Sequence, residues 1–136
     1  MTLMILRVLA SMTETTPATS DVTQSRLPSA VNSAKRGRDP TSTRWLQDII
    51  WQTGRELGHG KVFVDREEGV GGDDHEPFLR EGVDSVDLIQ LNSYPYWHKA
   101  DDTIDKVSPK SMKIVGDTVL ASLPKIVELF KKEKKE

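Results

Sequence analysis

The sequence predicts an α/β fold in which about two core strands are flanked by helices, with a flexible or disordered arm over residues 1–40 and ordered structure over 41–136. Three observations carry this. Apolar residues recur at helical spacing between Arg44 and Leu57. A run of β-formers spans Val86-Asp87-Leu88-Ile89-Gln90-Leu91. A second, longer helical stripe begins at Pro109. Helix and strand periodicities in alternation are the mark of an α/β chain.

The elements follow in chain order. Residues 1–10 are apolar but have no basic n-region and are interrupted by Arg7, so they are weak as a secretory signal and too short for a membrane span, and read as a short buried or frayed N-terminal segment. From Ser11 to Pro40 the chain is rich in Ser, Thr and Pro, with only scattered apolar residues such as Val22, Leu27 and Val31. Such a segment buries too little surface to offset its ordering entropy. The basic cluster Lys35-Arg36-Gly37-Arg38 reads as solvated.

Order is expected from Ser42 or Thr43, either of which can cap a helix over 44–57 with Trp45, Leu46, Ile49, Ile50, Thr53 and Leu57 on one face. Gly58 ends it. Lys61-Val62-Phe63-Val64-Asp65 alternates like a short strand, and Glu67-Glu68-Gly69-Val70-Gly71-Gly72 is a loop without the Gly-Lys-Ser/Thr ending of a phosphate-binding loop. In 73–82 an aspartate can cap a short helix that tolerates Pro77 in its first turn and closes at Gly82. The strand at 85–91 does not alternate, which suits burial on both faces of a mainly parallel sheet. A long helix follows from Pro109, capped by Ser108, with Met112, Val115, Val119, Ile126 and Phe130 on its stripe, and with Pro124 expected to kink or restart it.

Composition narrows the function classes. A chain of 136 residues suffices for one small domain. Lys plus Arg total 19 against 21 Asp plus Glu, a net charge of −2 that gives no electrostatic footing for nucleic acid. The mixed-sign tail Lys131-Lys132-Glu133-Lys134-Lys135-Glu136 reads as a solvated helix end. No cysteine is present, which removes disulfides, thiolate metal sites and a cysteine nucleophile.

Two places set histidine beside aspartate. In Tyr94-Pro95-Tyr96-Trp97-His98-Lys99-Ala100-Asp101-Asp102-Thr103, His98 lies on a loop just past a strand's C-terminal end, where open α/β sheets place their chemistry. A catalytic zinc takes about three ligands from His, Asp or Glu and leaves one position for water. His98 with Asp101 or Asp102 can supply two, and Asp73, Asp74 and His75 more if the loops meet. The bland alternative is that Asp-rich loops are turns and caps. His75 alone reads as a helix-surface or capping residue, and His59 as an exposed turn residue.

The order of these motifs carries a resemblance. Asp73-Asp74-His75-Glu76-Pro77-Phe78-Leu79-Arg80-Glu81-Gly82-Val83, then Val86-Asp87-Leu88-Ile89, then Tyr96-Trp97-His98-Lys99-Ala100-Asp101-Asp102-Thr103, Asp105-Lys106 and Ser108-Pro109 resemble the C-terminal part of the zinc exopeptidases of metallopeptidase family 28. That family includes aminopeptidases and glutaminyl-peptide cyclotransferases. Ser42-Thr43-Arg44-Trp45-Leu46 and Ile50-Trp51 resemble the helix preceding this part, so the resemblance runs from about Asp39 to about Leu129. It implies a partial three-layer fold, zinc as cofactor, and a peptide N-terminus as substrate. By resemblance His98 matches the last zinc ligand, Trp97 an aromatic residue lining the cyclase pocket, and Asp74, or its neighbour Asp73, an outer acid that joins the catalytic carboxylates. The implied chemistry is metal-polarised attack on the N-terminal residue's carbonyl, by water in the peptidases and by the substrate's own amine in the cyclases. A secretory route is also implied.

The chain departs from the family where it matters. The His-x-Asp motif, Glu-Glu pair and further Asp that complete the site in family members have no counterpart, and Glu14, Asp21 and Asp39, the only acids in residues 1–40, cannot stand in. Glu67-Glu68 follows the wrong strand and reads as coincidence. Asp84 stands where the family favours proline, Gln90 where it favours aspartate, and Lys99, a cation beside the metal position, where it favours threonine. One ligand without the glutamate base is expected neither to hold zinc tightly nor to activate water. The expectation is an exopeptidase or cyclase C-terminal portion that is inactive alone and needs the missing N-terminal half or another chain, with a non-catalytic interaction domain as the alternative.

Overall fold

The computed structural model describes the backbone of residues 5–7 and residues 35–69, 72–91 and 94–133. The expected arm over 11–34, Val70 and Gly71 of the glycine loop, and the end of the charged tail lie outside the described residues. Strand β1 is Ile5–Arg7, β2 is Arg36–Arg38, and helix α1 is Arg44–Glu56. Strand β3 is Phe63–Glu67, helix α2 is Glu76–Arg80, strand β4 is Ser85–Asp87, and helix α3 is Pro109–Glu133. A 3-10 turn at Ile104–Lys106 precedes α3.

The strands form two parallel pairs, β1 with β4 and β2 with β3. Residues 39–43 run along the other side of β4. The Thr43 amide donates to the Ser85 carbonyl (2.8 Å), while the Ser85 amide donates to Thr43 Oγ1 (3.0 Å) and the Asp87 amide to Ser42 Oγ (2.9 Å). Two hydroxyls thus accept from β4 where carbonyls of a neighbouring strand would. Helix α1 begins where expected, yet Thr43 makes no side-chain cap because its hydroxyl is committed to β4.

The core joins α1 and α3 to both sheets: Leu46, Ile50 and Trp51 of α1, Phe63 of β3, Val86 of β4 with Leu88 just after it, and Val115 and Ile126 of α3. Trp51 packs edge-on against Phe63 (5.4 Å between centroids) and donates from Nε1 to the Val64 carbonyl (2.9 Å), so its polar handle is satisfied inside the core. Trp45 and Phe130 pair the same way across α1 and α3.

Three expectations are corrected. Arg36–Arg38 is a buried strand, not a solvated cluster. Arg38 is neutralised by Asp48 (2.9 Å) and Asp65 (2.5 Å) and lies over the Trp51 ring, while Gly37 lets β2 approach β3 so closely that a Cβ there would meet the Glu68 Cβ at 2.2 Å. The expected strand at 61–65 falls at 63–67, because His59–Val62 closes a turn first. The expected strand at 85–91 pairs only over 85–87; Leu88 and Ile89 stay buried, but the Leu91 amide is taken by Glu68 Oε1 (3.1 Å). Helix α3 does not restart at Pro124. The proline ring removes the bond to the carbonyl four residues earlier, that of exposed Leu120. Ser108 caps α3 as expected, accepting from the Ser111 amide (3.3 Å).

Candidate functional site

The loop after β4 presents its aromatic and acidic residues through a set of ties internal to it. Tyr94 donates its hydroxyl to Asp102, Tyr94 and Tyr96 pack edge-on, Lys106 lies over the Tyr96 ring, and Lys99 donates to the Pro95 carbonyl. Burial, then the bond to Asp102, pushes the Tyr94 phenol up to about 12, so it stays a donor across the physiological range. At the centre of the loop His98 has φ 55, the one non-glycine residue with positive φ among those described. Its ring lies edge-on against Trp97 (4.3 Å), and both side chains are exposed. An exposed imidazole in a left-handed residue, braced by an indole, is free to bond outward at a ring nitrogen.

The second constellation lies elsewhere. His75 is buried rather than on a helix surface, and although it stands at the N-cap of α2 it makes no cap bond. Its Nε2 is 2.8 Å from Thr41 Oγ1 and 3.1 Å from Asp39 Oδ2. Thr41 and Ser42 also donate to Asp39 Oδ2, at 2.6 and 2.7 Å. Because the Thr41 proton is given to Asp39, the hydroxyl accepts from His75, which assigns the Nε2–H tautomer. The bonds run in series from the Asp87 amide through Ser42 to Asp39 and on to His75, tying β4 to the start of α2. His75 Nδ1 and Asp39 Oδ1 are buried without a hydrogen-bond partner.

Asp73 Oδ1 accepts from the Asp74 amide (2.7 Å) on an exposed turn. The proposed meeting of Asp73, Asp74 and His75 with the His98 loop is not found: among the described residues no three His, Asp or Glu side chains gather as metal ligands, and His75 is turned to Asp39. The described residues therefore do not fit a zinc cage by themselves; they offer His98 as a single imidazole. Sequence reasoning missed the Asp39–His75 pair. The signal was present in Asp39-Pro40-Thr41-Ser42, a turn-forming string whose hydroxyls fold back on the aspartate. It also missed Glu68, whose side chain is wholly buried and accepts from the Gly37 amide (3.1 Å), Arg66 and the Leu91 amide, three residues before Tyr94.

The family model of peptidase family M28 matches residues 12–123, most of the chain. The chain belongs to peptidase family M28. The match begins well before Asp39, where the resemblance read from the motifs began. The family M28 chain is 30% identical over 94 residues to Aminopeptidase YwaD of Bacillus subtilis, covering 65% of this chain and 20% of that protein. Among solved structures it is similar to a glutaminyl cyclase from an Acidobacteriales bacterium, with 35% identity and a TM-score of 0.61, over 69% of this chain and 34% of that one. A Zn-dependent exopeptidase from Parabacteroides distasonis shares the fold at 24% identity and a TM-score of 0.60, over 65% of this chain and 34% of that one. The α/β fold is thus that of the zinc exopeptidases and glutaminyl cyclases, and the chain spans about a third of these solved chains. No described helix is long and apolar enough to cross a membrane.

Proposed function

We infer that this chain is the C-terminal, last-ligand portion of a zinc-dependent exopeptidase of aminopeptidase type. In a complete site His98 is the zinc-ligand position, Trp97 lines the substrate pocket, and Asp74 or Asp73 is the outer acid. The observation that carries this reading is the His98 loop: an exposed imidazole, held left-handed against Trp97 at the exit of β4. The Tyr94–Asp102 bond ties together the two ends of the segment that carries His98, and Trp97 packs against the imidazole. What this chain's residues do is orient a ligand and present an aromatic face; the base and the remaining ligands are not among those described. On its own the chain is inactive. The 35% identity to a glutaminyl cyclase supports a second reading, in which the complete enzyme forms N-terminal pyroglutamate.

The test is calorimetric titration of the chain with zinc, beside His98→Ala, together with assays of aminoacyl-anilide hydrolysis and glutaminyl-peptide cyclisation. The expected result is weak binding that His98→Ala abolishes, and no turnover. Turnover by the chain alone contradicts its inactivity, and zinc binding indifferent to His98→Ala contradicts the ligand assignment.

A further inference from the structure

Glu68 directly follows β3, and its side chain is wholly buried although it ends in a carboxylate. Its amide donates to the Arg38 carbonyl (2.9 Å), which carries the β2–β3 ladder one step beyond the strand. The carboxylate takes donors from β2, from β3 and from the chain beyond β4. Oε2 accepts from the Gly37 amide (3.1 Å) and from Arg66 Nη2 (3.0 Å), and Oε1 accepts from the Leu91 amide (3.1 Å). Burial lowers the Arg36 guanidinium to about 10, and the Glu68 charge opposes that lowering. Gly37 makes the close approach possible, since a Cβ there would stand 2.2 Å from the Glu68 Cβ and 2.9 Å from its Oε2.

A buried carboxylate is costly unless its oxygens are well bonded. Here one carboxylate serves both parallel strand pairs, β2 with β3 and β1 with β4. It joins them where the chain leaves β3 and where it has left β4, the carboxyl end at which open α/β sheets place their chemistry. From Leu91 the ties run on to the His98 loop. The Leu91 carbonyl accepts from the Tyr94 amide (3.0 Å), the Tyr94 hydroxyl donates to Asp102, and His98 lies between those two residues with its ring against Trp97. We propose that Glu68 is a positioning residue for the candidate site: by holding the Leu91 amide it sets where the chain leaves the sheets, and so where the His98 imidazole is carried. This rests on the proposed ligand role of His98. A neutral amide is a poor substitute, because glutamine has one acceptor oxygen and turns an NH2 group toward one of the donors. A role in stability alone has a different outcome: losing Glu68 would lower the melting temperature and leave the folded loop where it is.

The test uses the full 136-residue chain, which has no cysteine and can be nitroxide-labelled at Lys61→Cys, before β3, and Ala100→Cys, in the loop, both exposed positions. Pulsed electron resonance then reads the distance between the labels, and the parent is expected to give one narrow peak. Glu68→Gln should lose that peak to a broad or displaced distribution and speed deuterium exchange at the Leu91 amide by about tenfold or more. Ile50→Val, which weakens the core without touching the loop, and Glu67→Gln at the exposed neighbour should keep the parent peak. Should Glu68→Gln not fold, Leu91→Pro removes the donor, leaves the carboxylate its Gly37 and Arg66 bonds, and should broaden the distribution likewise. The proposal is overturned if the folded Glu68→Gln or Leu91→Pro chain gives the parent distribution, if Ile50→Val broadens it equally, or if Leu91 in the parent exchanges as fast as an unbonded amide. The distance is read without metal, so it stands apart from the zinc titration. Zinc binding indifferent to His98→Ala would sink the ligand assignment and spare the anchor.

Discussion

His98 occupies a backbone region that costs an L-residue roughly 1 kcal/mol and that His, Asn and Asp tolerate better than β-branched residues. His98→Asn should therefore leave stability nearly unchanged, whereas His98→Val should lose about 1–2 kcal/mol, read as a shift in urea midpoint; equal midpoints would mean the left-handed conformation is not required. Tyr94 carries a pH signature. A free phenol titrates near 10, and in the fold burial and then Asp102 push Tyr94 up to about 12. Folding favours the neutral form, so this contribution is complete below pH about 10 and is lost as pH rises through about 12. Tyr94→Phe should be less stable than the parent at pH 9, and the gap should close between pH 10 and 12; a gap independent of pH would contradict the raised pKa. Neither property can be read from the residue type. The motif identifies His98 as a candidate, but backbone angle and burial depend on the whole loop.

At the scale of elements, the helices were legible because periodicity is local. Helix α1 was expected over 44–57 and runs over 44–56, and α3 starts at Pro109 behind its Ser108 cap. The strands were less so, because pairing depends on distant residues: Leu91 looks like a strand residue, yet Glu68 takes its amide. Buried charges were illegible for the same reason, Arg38 being solvated in sequence and locked between Asp48 and Asp65 in space. Between α1 and β3, a Cβ at Gly54 would meet the buried Phe63 ring at 2.5 Å. Gly54→Ala gains up to about 1 kcal/mol of helix propensity but forces a repacking that costs about 1–3 kcal/mol. Denaturation should find it destabilised, and a midpoint at or above the parent's would show that Phe63 has room to yield.

Over the whole molecule, the strands form two separate parallel pairs among the described residues, and residues 39–43, which follow β2, bond to β4 and are held by the Asp39–His75 pair. The candidate site is divided in the same way: His98 was legible from its motif, while the partner of His75 was not, since Asp39 lies 36 positions earlier in a segment that reads as a loop. The hydroxyls of Ser42 and Thr43 have a consequence for association. By occupying the amides of Ser85 and Asp87 they leave that edge of β4 no vacant donors there, so an extended peptide cannot add to it as a further strand. A seam closed by side chains can be opened by mutation without cutting the backbone. Ser42→Ala with Thr43→Val should speed deuterium uptake at Ser85 and Asp87 selectively and make the chain more prone to self-assemble through that edge, with amides in the middle of α1 exchanging as before.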